Sequence, residues 1–335
     1  MINFGIIGAG WRAEFYLRIA KLLPETFNVC GIYIRNPSKR KGIEEKYGVK
    51  VCNSLTSLLK CSPDFVVCSV YYGNMCEVTA KLCDMGVAVL SETPIGTNNR
   101  SLNSFEQKIK KDWKVQVAEQ YHLQPYFQAV KSIIDSGILG EINQVHLSCC
   151  HNYHAASLIR FLLDKKDTLP KVKTVTLPDS LYRNNSRTGI IEPIRIDSTQ
   201  KLAFLDYGDK TAIYDFNKEQ YFSDIRQSII CIKGTNGEIL NDSCYYLDEG
   251  IVKSFELQRD FKGSAGNIDG FYLNAYLGNG EILYKNPLPK ARLSDEEIAV
   301  ATCLLKMDEY LKTGKDFYSL ESAMLDTKTA LLWGM

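Results

Sequence analysis

Four histidines are the groups in this chain whose unperturbed titration falls near neutrality, and three of them, His146, His151 and His154, stand within nine residues. The fourth, His122, sits in Glu119-Gln120-Tyr121-His122. Either His154 or His122 can take or give a proton near neutral pH as a general acid or base, with Tyr121, Tyr153 or Glu119 to orient the transfer. The competing reading of each imidazole is a helix cap or a satisfied core group. Cys149, Cys150, His151 and His154 are all metal-ligand types. On a strand, however, neighbouring cysteines point to opposite faces, and His-x-x-His does not complete a tetrahedral set, so no metal is expected. Arg160 and Arg183 could meet substrate hydroxyls or carboxylates, with ordinary ion pairs as the default.

A second constellation opens the chain. The apolar run Ile2–Ile7 feeds Gly8-Ala9-Gly10-Trp11-Arg12-Ala13, a G-x-G-x-x-A fingerprint in a strand–turn–helix setting. Gly8 permits the tight turn, Gly10 lets backbone approach a pyrophosphate, and Ala13 lets the helix pack on the strand. Free N–H groups of the helix start then face the phosphates. An NAD-selective site carries an acidic residue about 20 positions on, whereas here the stretch between Glu25 and Glu44 is acid-free. Ile34 takes that place, and Arg35, with Ser38, Lys39 or Arg40, is suited to a 2′-phosphate. The cofactor reading is therefore NAD(P), leaning to NADP; a solvated basic helix start is the alternative.

These groups need elements to hold them. Up to about residue 118, short β-rich runs alternate with amphipathic helical stretches, as at Asn74–Met85, which is the pattern of a parallel sheet with helices on both faces. The expected strands are Ile2–Ile7, Asn28–Ile34, Val49–Cys52, Asp64–Val70, Val87–Ser91 and Lys114–Ala118. A helix over Pro125–Ser136 and a strand over Ile142–Cys150 follow, then strands at Val172–Thr176, Lys201–Asp206, Thr211–Phe216 and Ile229–Lys233. Helix returns from Ser294 to Leu332. The fold class is thus an α/β Rossmann domain, 1–118, plus an α+β domain, 119–335, with a large, mainly antiparallel sheet. The last helix is expected to pack back on the first domain.

Composition narrows the function classes. A net charge of +1 supplies no field to gather nucleic acid. No apolar stretch approaches the ~20 residues of a membrane span, and the first residues read as a buried strand, not a signal peptide. Eleven cysteines without a Cys-x-x-Cys pair point to reduced thiols, and the cytoplasm is the expected location.

With these features the chain resembles the Gfo/Idh/MocA family, which includes glucose–fructose oxidoreductase and inositol dehydrogenase. The resemblance rests on the fingerprint, on Asn36-Pro37-Ser38-Lys39-Arg40 with Lys46-Tyr47-Gly48-Val49, and on Gly86-Val87-Ala88-Val89-Leu90-Ser91-Glu92-Thr93-Pro94. It continues in Ile133–Ile142 and Tyr318–Ala323. It implies an open-faced sheet, a homodimer or homotetramer, a carbohydrate-like substrate between domains, and Glu92, Thr93, Pro94, Gln120 and Tyr71 or Tyr72 beside the cofactor. The family's sugar oxidisers carry Glu-Lys-Pro where this chain has Glu92-Thr93-Pro94, so a cationic group of the oxyanion-stabilising kind is missing. Its Asp-x-x-x-His-x-x-Asp stretch aligns as Cys150, His154 and Ser157, retaining the histidine without its carboxylates. The expected function is an NAD(P)-dependent oxidoreductase acting on a sugar, polyol or derivative. A non-catalytic nucleotide-binding sensor and a cofactor-recycling glycosidase are the alternatives.

Overall fold

The computed structural model describes residues 1–263, 270–288 and 291–335. By internal packing the chain divides into two compact units, the first made of Met1–Pro125, Asp260–Ala275 and Lys285–Thr327 and the second of Tyr126–Arg259, Tyr276–Tyr284 and Lys328–Met335.

The first unit is built on six parallel strands, β1 (Ile2–Ile7), β2 (Phe27–Tyr33), β3 (Val51–Cys52), β4 (Phe65–Cys68), β5 (Val89–Ser91) and β6 (Val115–Val117). Every residue of β4, β5 and β6 is buried, as strands covered on both faces require. Their order is β3-β2-β1-β4-β5-β6. The strand order therefore reverses between β1 and β4, and ligands of doubly wound sheets bind in the crevice at the carboxyl ends beside that reversal. The helices α1 (Trp11–Leu22), α2 (Arg40–Tyr47), α3 (Leu55–Leu59), α4 (Met75–Asp84) and α5 (Asn99–Glu106) connect the strands.

The turn out of β1 tolerates only glycine at its first position. Gly8 has φ +115°, and a Cβ there would lie 1.9 Å from the Ser69 carbonyl oxygen at the end of β4. Both the conformation and the space forbid a side chain. Gly8→Ala is accordingly expected to cost about 3 kcal/mol or more of stability, because the β1–β4 junction must open. An unshifted denaturant midpoint would show the junction to be looser than this.

The second unit carries an eight-stranded sheet. Its strands are β7 (Ile142–Ser148), β8 (Lys171–Ser186), β9 (Gly189–Asp206), β10 (Thr211–Asn217), β11 (Ile229–Gly234), β12 (Gly237–Leu240), β13 (Ser243–Asp248) and β14 (Ile251–Glu256). They run in the order β14-β13-β12-β11-β7-β10-β9-β8, antiparallel except where β10 pairs with β7. Alternation sorts the two faces: Val145, Leu147, Ala203, Leu205 and Ile239 are buried, whereas Phe204, Leu240, Tyr245 and Leu247 are exposed. Helix α6 (Pro125–Asp135) precedes the sheet, and α7 (Asn152–Leu163) follows β7 and packs against it. The hairpin β8–β9 is far longer than the short strands read from the sequence, since pairing continues through Ser186 and Gly189.

A three-stranded sheet, β15 (Gln258–Lys262), β16 (Tyr272–Gly278) and β17 (Glu281–Lys285), precedes α8 (Asp295–Thr313) and α9 (Leu320–Leu332). Helix α8 starts in a capping box in which Ser294 and Glu297 bond each other's backbone N–H groups, and it packs on α1 and β1 of the first unit. Among the described residues no helix is long and apolar enough to cross a membrane.

Candidate functional site

The crevice at the β1–β4 reversal is lined first by the loop Gly8-Ala9-Gly10. Gly10 is the N-cap of α1, and no side chain caps the helix there. A Cβ built on Gly10 meets no atom within 4 Å, and its φ of −87° is one that any residue adopts. The second glycine is thus required neither by backbone conformation nor by protein neighbours. Bare space in front of free helix N–H groups is a cradle for phosphate oxygens, so the residues present fit a dinucleotide. Ala13, wholly buried, sits at the helix–strand contact, and Trp11 is 44% exposed beside the loop with its ring edge on Phe15.

The basic segment after β2 separates into distinct tasks. Ile34 is buried, and Arg35 after it is exposed with no partner among the described residues. Asn36 accepts bonds from the Ser38 N–H and hydroxyl, shaping the turn. Arg40 donates to the Ile34 carbonyl (3.0 Å) and to Asn53 (3.0 Å), so it braces the segment and ties it to the end of β3. Lys39, instead, reaches back to the Ala9 carbonyl at 3.3 Å, putting an ammonium on the glycine loop itself.

Beyond the reversal, Tyr71 and Tyr72 follow β4 with ring centroids 4.3 Å apart and both substantially exposed. Glu92, at the end of β5, is buried and held from behind. The Tyr16 hydroxyl donates to one carboxylate oxygen at 2.5 Å, and the Arg12 guanidinium lies 3.8 Å from the other. Arg12 also donates to Glu296 of α8 at 2.8 Å. With the Gln120 amide oriented to suit its neighbours, it accepts from Arg12 (3.1 Å) and donates to the Ala118 carbonyl (3.0 Å). Burial alone would ease Arg12 deprotonation, but Glu92 and Glu296 more than reverse this and hold the guanidinium firmly charged. Burial, reinforced by the Glu92 charge, pushes the Tyr16 phenol far above its usual range and keeps it a donor. Thr93 is half-buried, its N–H directed at Glu92 (3.3 Å), and Pro94 behind it is buried; their peptide bond is cis.

Sequence reasoning placed Arg12 and Glu92 beside the cofactor but missed that Tyr16 and Glu296 join them. Arg12→Met would leave two acids with no cation between them. It is expected to lower stability by about 3 kcal/mol, most of it the cost of a buried carboxylate left without its counter-charge. Chemical denaturation measures this, and a change below about 0.5 kcal/mol would mean that water already screens the group.

Tyr121 and His122 belong to the same unit, in the short 3-10 turn Tyr121–Leu123. The Tyr121 N–H bonds Glu119 (3.1 Å), and the buried His122 ring stacks on Tyr318 at 5.1 Å. Burial pushes the His122 pKa down to about 4, against the pull of Glu119, so the ring is neutral at physiological pH.

In the second unit His146 parts from the other two histidines, which share the first turn of α7. His146 lies on the open face of the sheet, 3.9 Å from Asp215. His151 is the N-cap of α7, packed on Phe216 and Tyr221, and burial, with His154 next, pushes its pKa down to about 4. His154, in the first turn of α7, is buried with its ring 4.3 Å from that of Tyr153. Cys150 and Ser157, where the family's acids would stand, are buried too. Beside His151's partners Phe216 and Tyr221 lies a cleft of about 490 Å³, with Gln220, Asp224, Arg226 and Gln227 among its walls. Arg160 donates to the carbonyls of Lys165 and Lys166, and Arg183 to that of Asn185. Both arginines fasten local turns. Among the described residues no three His, Cys, Asp or Glu side chains are grouped to hold a metal.

A Rossmann sheet of order 3-2-1-4-5-6 with a glycine loop at its reversal defines a dinucleotide-binding protein. Residues 2–121, the nucleotide-binding part of the chain, match the model of the Gfo/Idh/MocA oxidoreductase family with an NAD-binding Rossmann fold. No curated protein matches the sequence. Among solved structures, an Agrobacterium radiobacter oxidoreductase in complex with NAD+, L-tartaric acid and magnesium shares 15% identity at a TM-score of 0.66, covering 99% of this chain and 94% of its own. The apo scyllo-inositol dehydrogenase of Lactobacillus casei shares 14% at 0.65, covering 99% and 94%. A Synechocystis biliverdin reductase in complex with biliverdin and NADP+ shares 13% at 0.63, covering 100% and 99%. At these identities the likeness is one of fold.

Proposed function

We propose that this protein is an NAD(P)-dependent oxidoreductase acting on a secondary alcohol of a sugar, polyol or sugar derivative, with His154 as the proton acceptor. The observation that carries the reading is Gly10, a glycine that neither conformation nor packing demands, standing before the open N-terminus of α1. The nicotinamide supplies the hydride chemistry when bound. The chain's part is to seat the pyrophosphate on α1, to set Tyr71 and Tyr72 along the nicotinamide side, and to take the alcohol proton. Tyr121 and His122 are the reserve acid–base groups. The polar cleft by Phe216 and Tyr221, with amides, a carboxylate and a guanidinium around aromatic rings, suits a hydroxyl-rich ligand. Absorbance at about 340 nm, followed over a panel of sugars and polyols with each cofactor, tests activity and cofactor choice together.

Cofactor choice follows from charge. Arg35 is exposed just after β2, Lys39 lies on the loop, and the stretch between Glu25 and Glu44 carries no acid to repel a 2′-phosphate. Arg35→Ala is expected to weaken NADP about 10-fold, the worth of one charged contact, and NAD less than about 2-fold. Equal losses in paired titrations would remove the preference for NADP.

A non-catalytic nucleotide-binding sensor is favoured by one observation, Thr93 where the family's sugar oxidisers carry lysine. Tight nucleotide binding without turnover of any alcohol in the same panel would select it.

A further inference from the structure

The edge of the nucleotide-binding sheet holds a thiol pair that neither the fold nor the proposed chemistry uses. Strand β3 ends at Cys52, α3 turns back under a capping box of Ser54 and Ser57, and the chain returns at Cys61. The two sulfurs come together over the bare face of Gly31 in β2. A Cβ built there would lie 3.0 Å from Cys52 Sγ and 3.5 Å from Cys61 Sγ, so glycine leaves the room that both occupy. Cys52 is buried and Cys61 half-exposed, so one thiol meets solvent while the other waits behind it.

The surroundings divide the labour. The Cys61 thiol donates to the Ser57 carbonyl at 3.5 Å, and the Lys50 side chain stands close enough to the Cys61 sulfur for its own pKa to be raised. Of the two thiols, the half-exposed Cys61 is the one a dissolved oxidant reaches first. Burial, then the neighbouring Cys61, pushes the Cys52 thiol up, and burial pushes that of nearby Cys30 up to about 11. Raised pKa values make both weaker nucleophiles, and Cys52 is in addition shielded from solvent.

We propose that Cys52 and Cys61 form a reversible redox pair, with Cys61 the peroxide-reactive thiol and Cys52 the resolving one. The Cys61 thiolate attacks one oxygen of hydrogen peroxide, hydroxide leaves with the electron pair of the broken O–O bond, and a sulfenic acid forms. Cys52 attacks that sulfur, its proton and the sulfenic hydroxyl depart as water, and the S–S bond closes. Two thiols are oxidised and one peroxide is reduced to two waters. A dithiol reductant reverses the step by exchange, itself becoming a disulfide. The pair adjoins the nucleotide crevice through the strand: Cys52 pairs with Tyr33, and Asn53 after it holds Arg40.

The test uses the full chain. After treatment with a few equivalents of hydrogen peroxide, two of the eleven thiols should resist alkylation. Trypsin cuts after Lys50 and Lys60, so Cys52 and Cys61 fall in different peptides, and a cross-link between residues 51–60 and 61–81 should appear by mass spectrometry and vanish with dithiothreitol. Cys52→Ser should instead leave a Cys61 sulfenic acid that dimedone captures, and Cys30→Ser should still form the cross-link. Absence of the Cys52–Cys61 link in the wild-type chain, or a link that joins other cysteines in its place, would overturn the proposal.

Discussion

Replacing Gly10 by leucine is expected to abolish dinucleotide binding, by about 100-fold or more in Kd, while the unfolding transition stays within about 0.5 kcal/mol of wild type. The two halves of this expectation have separate causes. Backbone at position 10 is extended, and the space in front of it holds no protein atom, so the side chain neither strains nor clashes in the free chain. That same space is where a pyrophosphate would approach the α1 N–H groups, and a leucine there excludes it. The loss exceeds that of a single hydrogen bond because several N–H contacts go together. Gly8→Ala should do the opposite, harming the fold first. Isothermal titration with NAD and NADP, alongside denaturation of both variants, resolves the two glycines; wild-type affinity in Gly10→Leu would refute the site.

Turnover in His154→Ala should fall by about 10²- to 10⁴-fold with nucleotide affinity unchanged, the range general acid–base catalysis contributes. The other imidazoles are less suited. His122 and His151, with pKa values pushed to about 4, are weak proton acceptors at neutral pH, and His146 stands on the open sheet face. The sign of the pH dependence separates the candidates. If His122 were the base, the oxidative rate would hold down to about pH 4 and fall below it, since only the neutral ring takes a proton. Wild-type turnover of a confirmed substrate by His154→Ala would make position 154 structural and pass the role to His122 or Tyr121.

The parallel strands were legible because strands buried on both faces read as short apolar runs between glycine and polar turns; Ile2–Ile7 has the expected bounds, and the others shift by a few residues at their ends. The hairpin β8–β9 was not. Its outer parts carry Pro178, Pro193 and many polar residues, and most of them are exposed, so no alternation of apolar and polar residues marks them. Their pairing comes from the register of one strand on the other. In the nucleotide loop, glycine spacing was visible, but the hold of Lys39 on Ala9 was not, because nothing local distinguishes it from Arg40. Glu296 stood among three acids at a recognisable helix start. Which of them faces Arg12 is decided by how α8 lies on α1. The histidine cluster illustrates a partial reverse case: a strand carries His146 away, while His151 and His154 stay together in the first turn of α7.

The brace behind Glu92 bears on how such a chain can change over generations. Tyr16 and Arg12 grip the carboxylate from within the fold, while Thr93 takes part only through its backbone N–H. Position 93 is therefore relieved of any duty to the scaffold, and a lineage can exchange its side chain without first repairing the loop. Threonine and lysine codons can differ by a single base. Gain or loss of an ammonium at position 93 thus lies one mutational step away, on a backbone already committed to its shape.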